Sequence, residues 1–224
     1  MKVSIIIPVL NEAKTLGDTL GLVAGQSAEI IVVDGGSTDA TMEIARQYSP
    51  HVITAPRGRG PQQGAGARKS HGSVLLFLHA DTRLPVAYER LIDQALNKPG
   101  VVFGAFHLEI HPSTPVLALI ASMANLRTRL LRMPYGDQAL FVGRDAYFQA
   151  GGFPNWPIME DVDLVRRLNL LGGFELACGS VRTSGRRWKR ENALFTTLRN
   201  WSLMIRYYMG HRPHTLARHY PDAR

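Results

Sequence analysis

The sequence predicts an α/β fold: a doubly wound, mainly parallel sheet with helices on both faces, followed by a C-terminal helical extension. Two observations carry this. Short β-branched apolar runs alternate with helix-length segments through the first half, and polar clusters fall just after those runs. Alternating strands and helices imply βαβ units around a parallel sheet, and such sheets bind ligands beyond the carboxyl ends of their strands. Residues 1–190 are expected to form one domain, with 191–224 as an amphipathic helix and tail packed on it or extending it.

Val3 to Pro8 is apolar and β-branched and ends at a proline, so it reads as a buried strand. Asn11 to Leu22 then takes helical spacing. Ile30 to Val33 reads as the second strand, Asp39 to Tyr48 as the second helix and His51 to Ala55 as the third strand. The glycine-rich stretch Gly58 to Gly66 leads into a helix. Ser73 to Leu78 is the fourth strand, with a helix from Val86 to Leu96 after it. Beyond these, Val101 to Ile110 and Gln138 to Val142 read as strands, and Thr114 to Leu131 as an apolar helix. Glu160 to Leu171 is an amphipathic helix stopped by Gly172-Gly173. Ala193 to Met209 is the last helix.

The 224 residues are 45% apolar and 20% charged, which suits a soluble globular domain and argues against disorder. The apolar run of MKVSIIIPVLNE is too short for a signal peptide. Lysine and arginine exceed acidic residues by 26 to 18, a balance that favours anionic partners. The excess gathers towards the C-terminus. Cys178, the single cysteine, reads as core filler rather than a nucleophile, and a lone thiol fits a reducing compartment or indifference to redox.

Four polar clusters follow in order: PVLNE (Pro8 to Glu12), DGGSTD (Asp34 to Asp39), HADTRLP (His79 to Pro85) and MEDVDL (Met159 to Leu164). Each alone has a plain structural explanation. Asp34 and Ser37 could make a turn and cap a helix, His79 could close a strand inside the core, and Glu160-Asp161 could complement a helix dipole. Their joint occurrence at strand ends and a helix start points to one site. A dinucleotide-binding enzyme would need G-x-G-x-x-G after the first strand, and PVLNE has no glycine.

The four clusters together resemble those of the family 2 glycosyltransferases, inverting enzymes of the GT-A fold. Through RGRGPQQ, LFLHADTRLP, YGDQALFV, GGFPNWPIMED and SGRRW the chain is also similar to a small bacterial subgroup associated with radical-SAM, selenium or arsenosugar gene sets. The resemblance covers nearly the whole chain. It implies that Pro8, Asn11 and Glu12 line the pocket for base and ribose, and that Asp34 accepts a hydrogen bond from the base. It places HADTRLP where the family carries Asp-x-Asp. Asp81, with His79 in place of the first aspartate, would then hold a divalent metal that stabilises the leaving diphosphate. Manganese is preferred to magnesium because an imidazole suits it better. Asp161 is the implied base that takes the acceptor proton, with Glu160 as the substitute candidate. Asp137 and Gln138 are expected to face sugar or acceptor. Arg186, Arg187 and Trp188 match the end of the Q-x-x-R-W motif of larger members, with Thr183 where its glutamine would stand. Arg187 would pair with diphosphate oxygens and Trp188 would stack on the acceptor. Arg57 and Arg59 are further phosphate-side candidates.

The expected partners are a nucleotide-sugar donor, with a UDP-sugar as the default, and an acceptor the sequence does not name. Nucleic acid is excluded because the strands are aliphatic and lack stacking platforms. A cytoplasmic setting is expected. Leu194, Leu198, Trp201, Ile205 and Tyr208 recur at helical spacing among arginines. Two roles stay open for that stripe: packing on the domain and closing the site, or peripheral contact with the inner face of an anionic membrane. A sugar nucleotidyltransferase would want a glycine- and basic-rich loop after the first strand, which is absent. A non-catalytic nucleotide-binding protein would have no need of Asp81, Glu160 and Asp161.

Overall fold

The computed structural model describes residues 1–24, 28–186 and 193–220. The first half runs β1 (Val3–Val9), α1 (Leu16–Val23), β2 (Glu29–Asp34), α2 (Thr41–Tyr48), β3 (His51–Thr54), α3 (Arg59–Lys69) and β4 (Val74–Phe77). Next come β5 (Thr82–Arg83), α4 (Tyr88–Leu96), β6 (Val101–His111), α5 (Pro115–Leu131), a 3-10 turn at Gly136–Gln138, β7 (Phe141–Gly143) and α6 (Arg144–Gln149). The chain ends with α7 (Glu160–Leu171), β8 (Gly173–Ser184), α8 (Ala193–Tyr208) and α9 (Pro213–Ala217).

All eight strands join one sheet in the order β3-β2-β1-β4-β7-β6-β8-β5. β1 to β4 pair parallel with one another, as do β6 and β8; β7 pairs antiparallel with β4 and β6, and β5 antiparallel with β8. This is the α/β sheet predicted. Ile5 and Ile7 enter the core on one face and Ile6 that on the other, all three fully buried. Covering both faces is why β1 reads as a continuous apolar run instead of an alternating one. Each such side chain contributes roughly 1.5–3 kcal/mol.

Several boundaries differ from expectation. α1 begins at Leu16 and not at Asn11, because Asn11 adopts φ 54° and the Glu12 carbonyl accepts from the Thr15 and Leu16 amides in a turn. The glycine-rich stretch is α3 itself. Gly66 lets that helix lie directly on Ile6 and Val33, where any Cβ would overlap them. Gln138 belongs to the 3-10 turn, and β7 starts at Phe141.

The twelve-residue β8 was not foreseen. Its Phe174 packs on one face of the sheet and its Ala177 and Val181 on the other. Between them Cys178 and Gly179 have no partner on β6, since Phe106 pairs with Ala177 and His107 with Ser180. The bulge, built of the small Cys178 and Gly179, interrupts the run of apolar side chains that marks a strand. It also corrects the expectation for Cys178, which is exposed in the bulge and fills no core.

Candidate active site

A cleft of about 410 Å³ opens beyond the carboxyl ends of β1 and β4. It is lined by Pro8 and Glu12 after β1, Arg59 and Gln62 of α3, His79 and Asp81 after β4, and Gly136 and Asp137 of the 3-10 turn. Glu160 and Asp161 of α7, Arg186 after β8, and Thr196, Asn200, Leu203 and Met204 of α8 complete the walls.

α3 sets the floor. Gln62 is buried, and its Nε2 donates to the carbonyls of Val9 at 2.8 Å and Val33 at 2.7 Å, tying together the ends of β1 and β2. Sequence reasoning passed over Gln62. Its signal was the amide pair Gln62-Gln63 in RGRGPQQ, at the start of a helix that follows a strand. Gly60 brings the helix start against the loop at Pro154, where a Cβ would overlap that residue's carbonyl.

The acidic wall comes from α7. Met159 sits at its N-cap with φ 64°, a conformation that costs a non-glycine residue roughly 1–2 kcal/mol. This bend turns Glu160 and Asp161 into the cleft. Glu160 is 5% exposed, and burial, reinforced by Asp161 and opposed by Arg59, raises its pKa to about 8. The Asp161 carboxylate accepts from Gly136 N–H and from Val162 N–H, both at 2.8 Å. A Cβ on Gly136 would lie 3.2 Å from His79 Nε2 and 3.5 Å from Asp161 Oδ2, so imidazole and carboxylate flank that glycine.

Asp137 projects beside them. Burial pushes its carboxyl above the usual range, Asp161 adds to the shift, and Arg127 and Arg59 oppose it. Its Oδ1 is shielded and has no hydrogen-bond partner among the described residues. The turn is held from behind by α5. Thr128 Oγ1 donates to Gln138 Oε1 at 2.7 Å, and the Arg127 guanidinium stacks 3.4 Å above the Tyr135 ring centroid.

At the opposite wall one Arg186 nitrogen reaches both Glu12 Oε2 at 2.9 Å and Asp81 Oδ2 at 3.1 Å. A guanidinium thus stands between the two carboxylates, Glu12 expected at the nucleotide and Asp81 expected at the metal.

Pro8, Glu12, Arg59, His79, Asp81, Asp137, Glu160, Asp161 and Arg186 therefore share one cleft. Four expected residues do not line it. Asp34 accepts from the amides of Gly36 and Ser37 and from the Ser37 hydroxyl within its own turn. Asn11 is exposed and accepts from Thr38 N–H at 2.9 Å, joining the β1 and β2 loops. Arg57 is exposed. Gln138 does not face a sugar: it is fully buried and donates to the Phe106 carbonyl at 3.1 Å. Arg187 and Trp188 lie outside the described residues.

Residues 4–153 match the family model for Glycosyl transferase family 2. The chain is 37% identical over 91 residues to glycosyltransferase AglE of Haloferax volcanii, covering 35% of this chain and 30% of that protein. It is 38% identical over 91 residues to a PGL/p-HBAD biosynthesis glycosyltransferase of Mycobacterium bovis, covering 36% of each. The matched segment spans about a third of the length of these curated relatives. Among solved structures, S. aureus TarS superposes with a TM-score of 0.64 at 18% identity, over 83% of this chain and 61% of that one. The mannosyltransferase PcManGT from Pyrobaculum calidifontis, in complex with GDP-Man and Mn2+, gives 0.64 at 16% identity, over 80% and 56%. At these identities the structural likeness is one of fold.

Proposed function

The chain belongs to glycosyl transferase family 2, and from that membership we propose that it moves a sugar from a nucleotide-sugar donor to an acceptor hydroxyl, with inversion and the help of a divalent metal. The observation that carries this is the convergence of Glu12, Arg59, Asp81, Asp137 and Asp161 on one cleft from separate chain segments. Proteins of similar fold have been solved with UDP-GlcNAc, with UDP-Glc and Mn2+, and with GDP-Man and Mn2+. We assign a nucleoside diphosphate sugar as the donor class, with uridine the first base to test. The motifs RGRGPQQ and SGRRW support membership of the small radical-SAM-associated subgroup.

Asp161 serves as the base. It takes the proton of the acceptor hydroxyl while that oxygen attacks the anomeric carbon on the face opposite the diphosphate. The bond from that carbon to the diphosphate oxygen breaks, the electron pair leaves with the nucleoside diphosphate, and one displacement inverts the centre. Glu160 is the poorer candidate, because a carboxyl with a pKa of about 8 already carries its proton at neutral pH. Asp137 Oδ1 can accept from a sugar or acceptor hydroxyl.

A divalent metal fits the donor set when the diphosphate supplies further ligands. Arg186 already places a cation against Asp81 and Glu12. Among the described residues no three His, Cys, Asp or Glu side chains could hold a metal by themselves, which suits an ion shared with substrate phosphates. Asp81 and His79 would hold it, the imidazole favouring manganese. Bound there it would offset the charge of the departing diphosphate. We take residues 1–190 as the transferase domain and 191–224 as its extension, of which Thr196, Asn200, Leu203 and Met204 wall the cleft, in a cytoplasmic setting that suits a chain with one cysteine.

Incubation with a panel of nucleotide sugars and manganese tests the proposal. Slow release of nucleoside diphosphate from one donor is expected. No release from any donor, with no nucleoside diphosphate raising the melting temperature, would refute it.

A further inference from the structure

α5 and α8 each bury one face and leave an apolar stripe outside. On α5 the stripe is Val116, Leu119, Met123, Leu126 and Leu130, spaced alternately three and four residues apart and 41–68% exposed. On α8 it is Phe195, Leu198, Trp201, Ile205 and Tyr208, 50–62% exposed. The helices touch, with the Tyr208 hydroxyl 3.5 Å from the Met133 sulfur just past α5. Their inner faces serve the cleft: α5 grips the 3-10 turn through Thr128, and α8 contributes Thr196, Asn200 and Met204 to the wall.

Charge identifies what covers these stripes. From Ile110 to Gly136 and from Ala193 to Tyr220 the sequence has no aspartate or glutamate. Arg129, Arg132, Arg206, Arg212 and Arg218 in the same segments are exposed. A second copy seated on this face would oppose arginine to arginine with no carboxylate to pair them. An anionic lipid surface meets both needs, taking apolar side chains below its headgroups and arginines among its phosphates. Trp201 and Tyr208 suit the boundary between the two. No helix among the described residues is long and apolar enough to cross a membrane, so the contact is in plane. We propose that α5 and α8 together seat the protein on an anionic bilayer, with the cleft beside the lipid headgroups.

Co-sedimentation with vesicles, with no donor or acceptor added, tests this apart from any transferase activity. Pelleting is expected with phosphatidylglycerol mixed into phosphatidylcholine, not with phosphatidylcholine alone, and should reverse at high salt. Each arginine near the surface is worth about fivefold in affinity, so Arg129→Gln with Arg206→Gln should weaken binding roughly 25-fold. Leu126→Gln with Ile205→Gln alters exposed positions only, and should abolish pelleting while leaving the thermal transition unchanged. Three results would overturn the proposal: protein left in the supernatant at every salt concentration, pelleting untouched by the Leu126/Ile205 pair, or a dimer in sedimentation equilibrium that this pair dissolves.

Discussion

Glu160 and Asp161 are neighbours in sequence with opposite surroundings. Asp161 has an N–H aimed at each oxygen, whereas Glu160 is buried and holds its proton to about pH 8. Asp161→Asn should lower turnover about 10²- to 10⁴-fold, the usual worth of a general base, with donor affinity unchanged by calorimetry. Turnover that survives within tenfold, roughly, would move the role elsewhere. Glu160 bears instead on stability. The unfolded chain releases this proton near 4.5 and the native state near 8. Between those values the native state binds more protons, so stability falls as pH rises through that window. Denaturant midpoints should drop from about pH 5 to about pH 9 in the native sequence and stay flatter in Glu160→Gln. Equal slopes for both would remove Glu160 as the cause.

At the level of elements, the strands of the first half were legible because both faces of the sheet are covered and each strand is a short apolar run. Helix starts were less so. α1 yields its first turn to Asn11 and Glu12, whose side chains serve neighbouring loops, and α3 hides under glycines that merely allow close packing. β8 was illegible because its first four residues are only half-buried and its bulge places the small Cys178 and Gly179 where a continuous apolar run would mark a strand. The site followed the same division. PVLNE, HADTRLP and MED announced themselves at strand ends and a helix start. Whether Asp34 or Gln138 points into the cleft or into its own turn is decided by tertiary direction, which spacing does not carry. α3 offers a test of how the floor is held. Gln62→Met keeps the volume and removes the donors to Val9 and Val33. It should cost about 1–3 kcal/mol in urea denaturation, and a loss below the error of the fit would mean those carbonyls find other donors.

Across the whole molecule, the two large cores draw on no residue beyond Val181, while a third small one joins Ile158 to Leu203 and Leu216. A chain ended at residue 190 should therefore keep a cooperative thermal transition by circular dichroism and lose transfer, because the loop before Glu160 loses its backing. Loss of the transition would make α8 part of the fold itself. Arg186 spans comparable distances, reaching residues 174 and 105 positions away in sequence. It is a counter-ion on a tether, present at high effective concentration wherever Glu12 and Asp81 are bare. On the proposed chemistry Arg186 would compete with free metal for Asp81, and would release that carboxylate when its guanidinium turned to a bound diphosphate. Metal and nucleotide then assist each other's binding by one shared factor, since such coupling is reciprocal. Calorimetry should find manganese tighter in the presence of nucleoside diphosphate. In Arg186→Ala that cooperativity should shrink, with manganese alone binding better and the nucleotide alone binding worse.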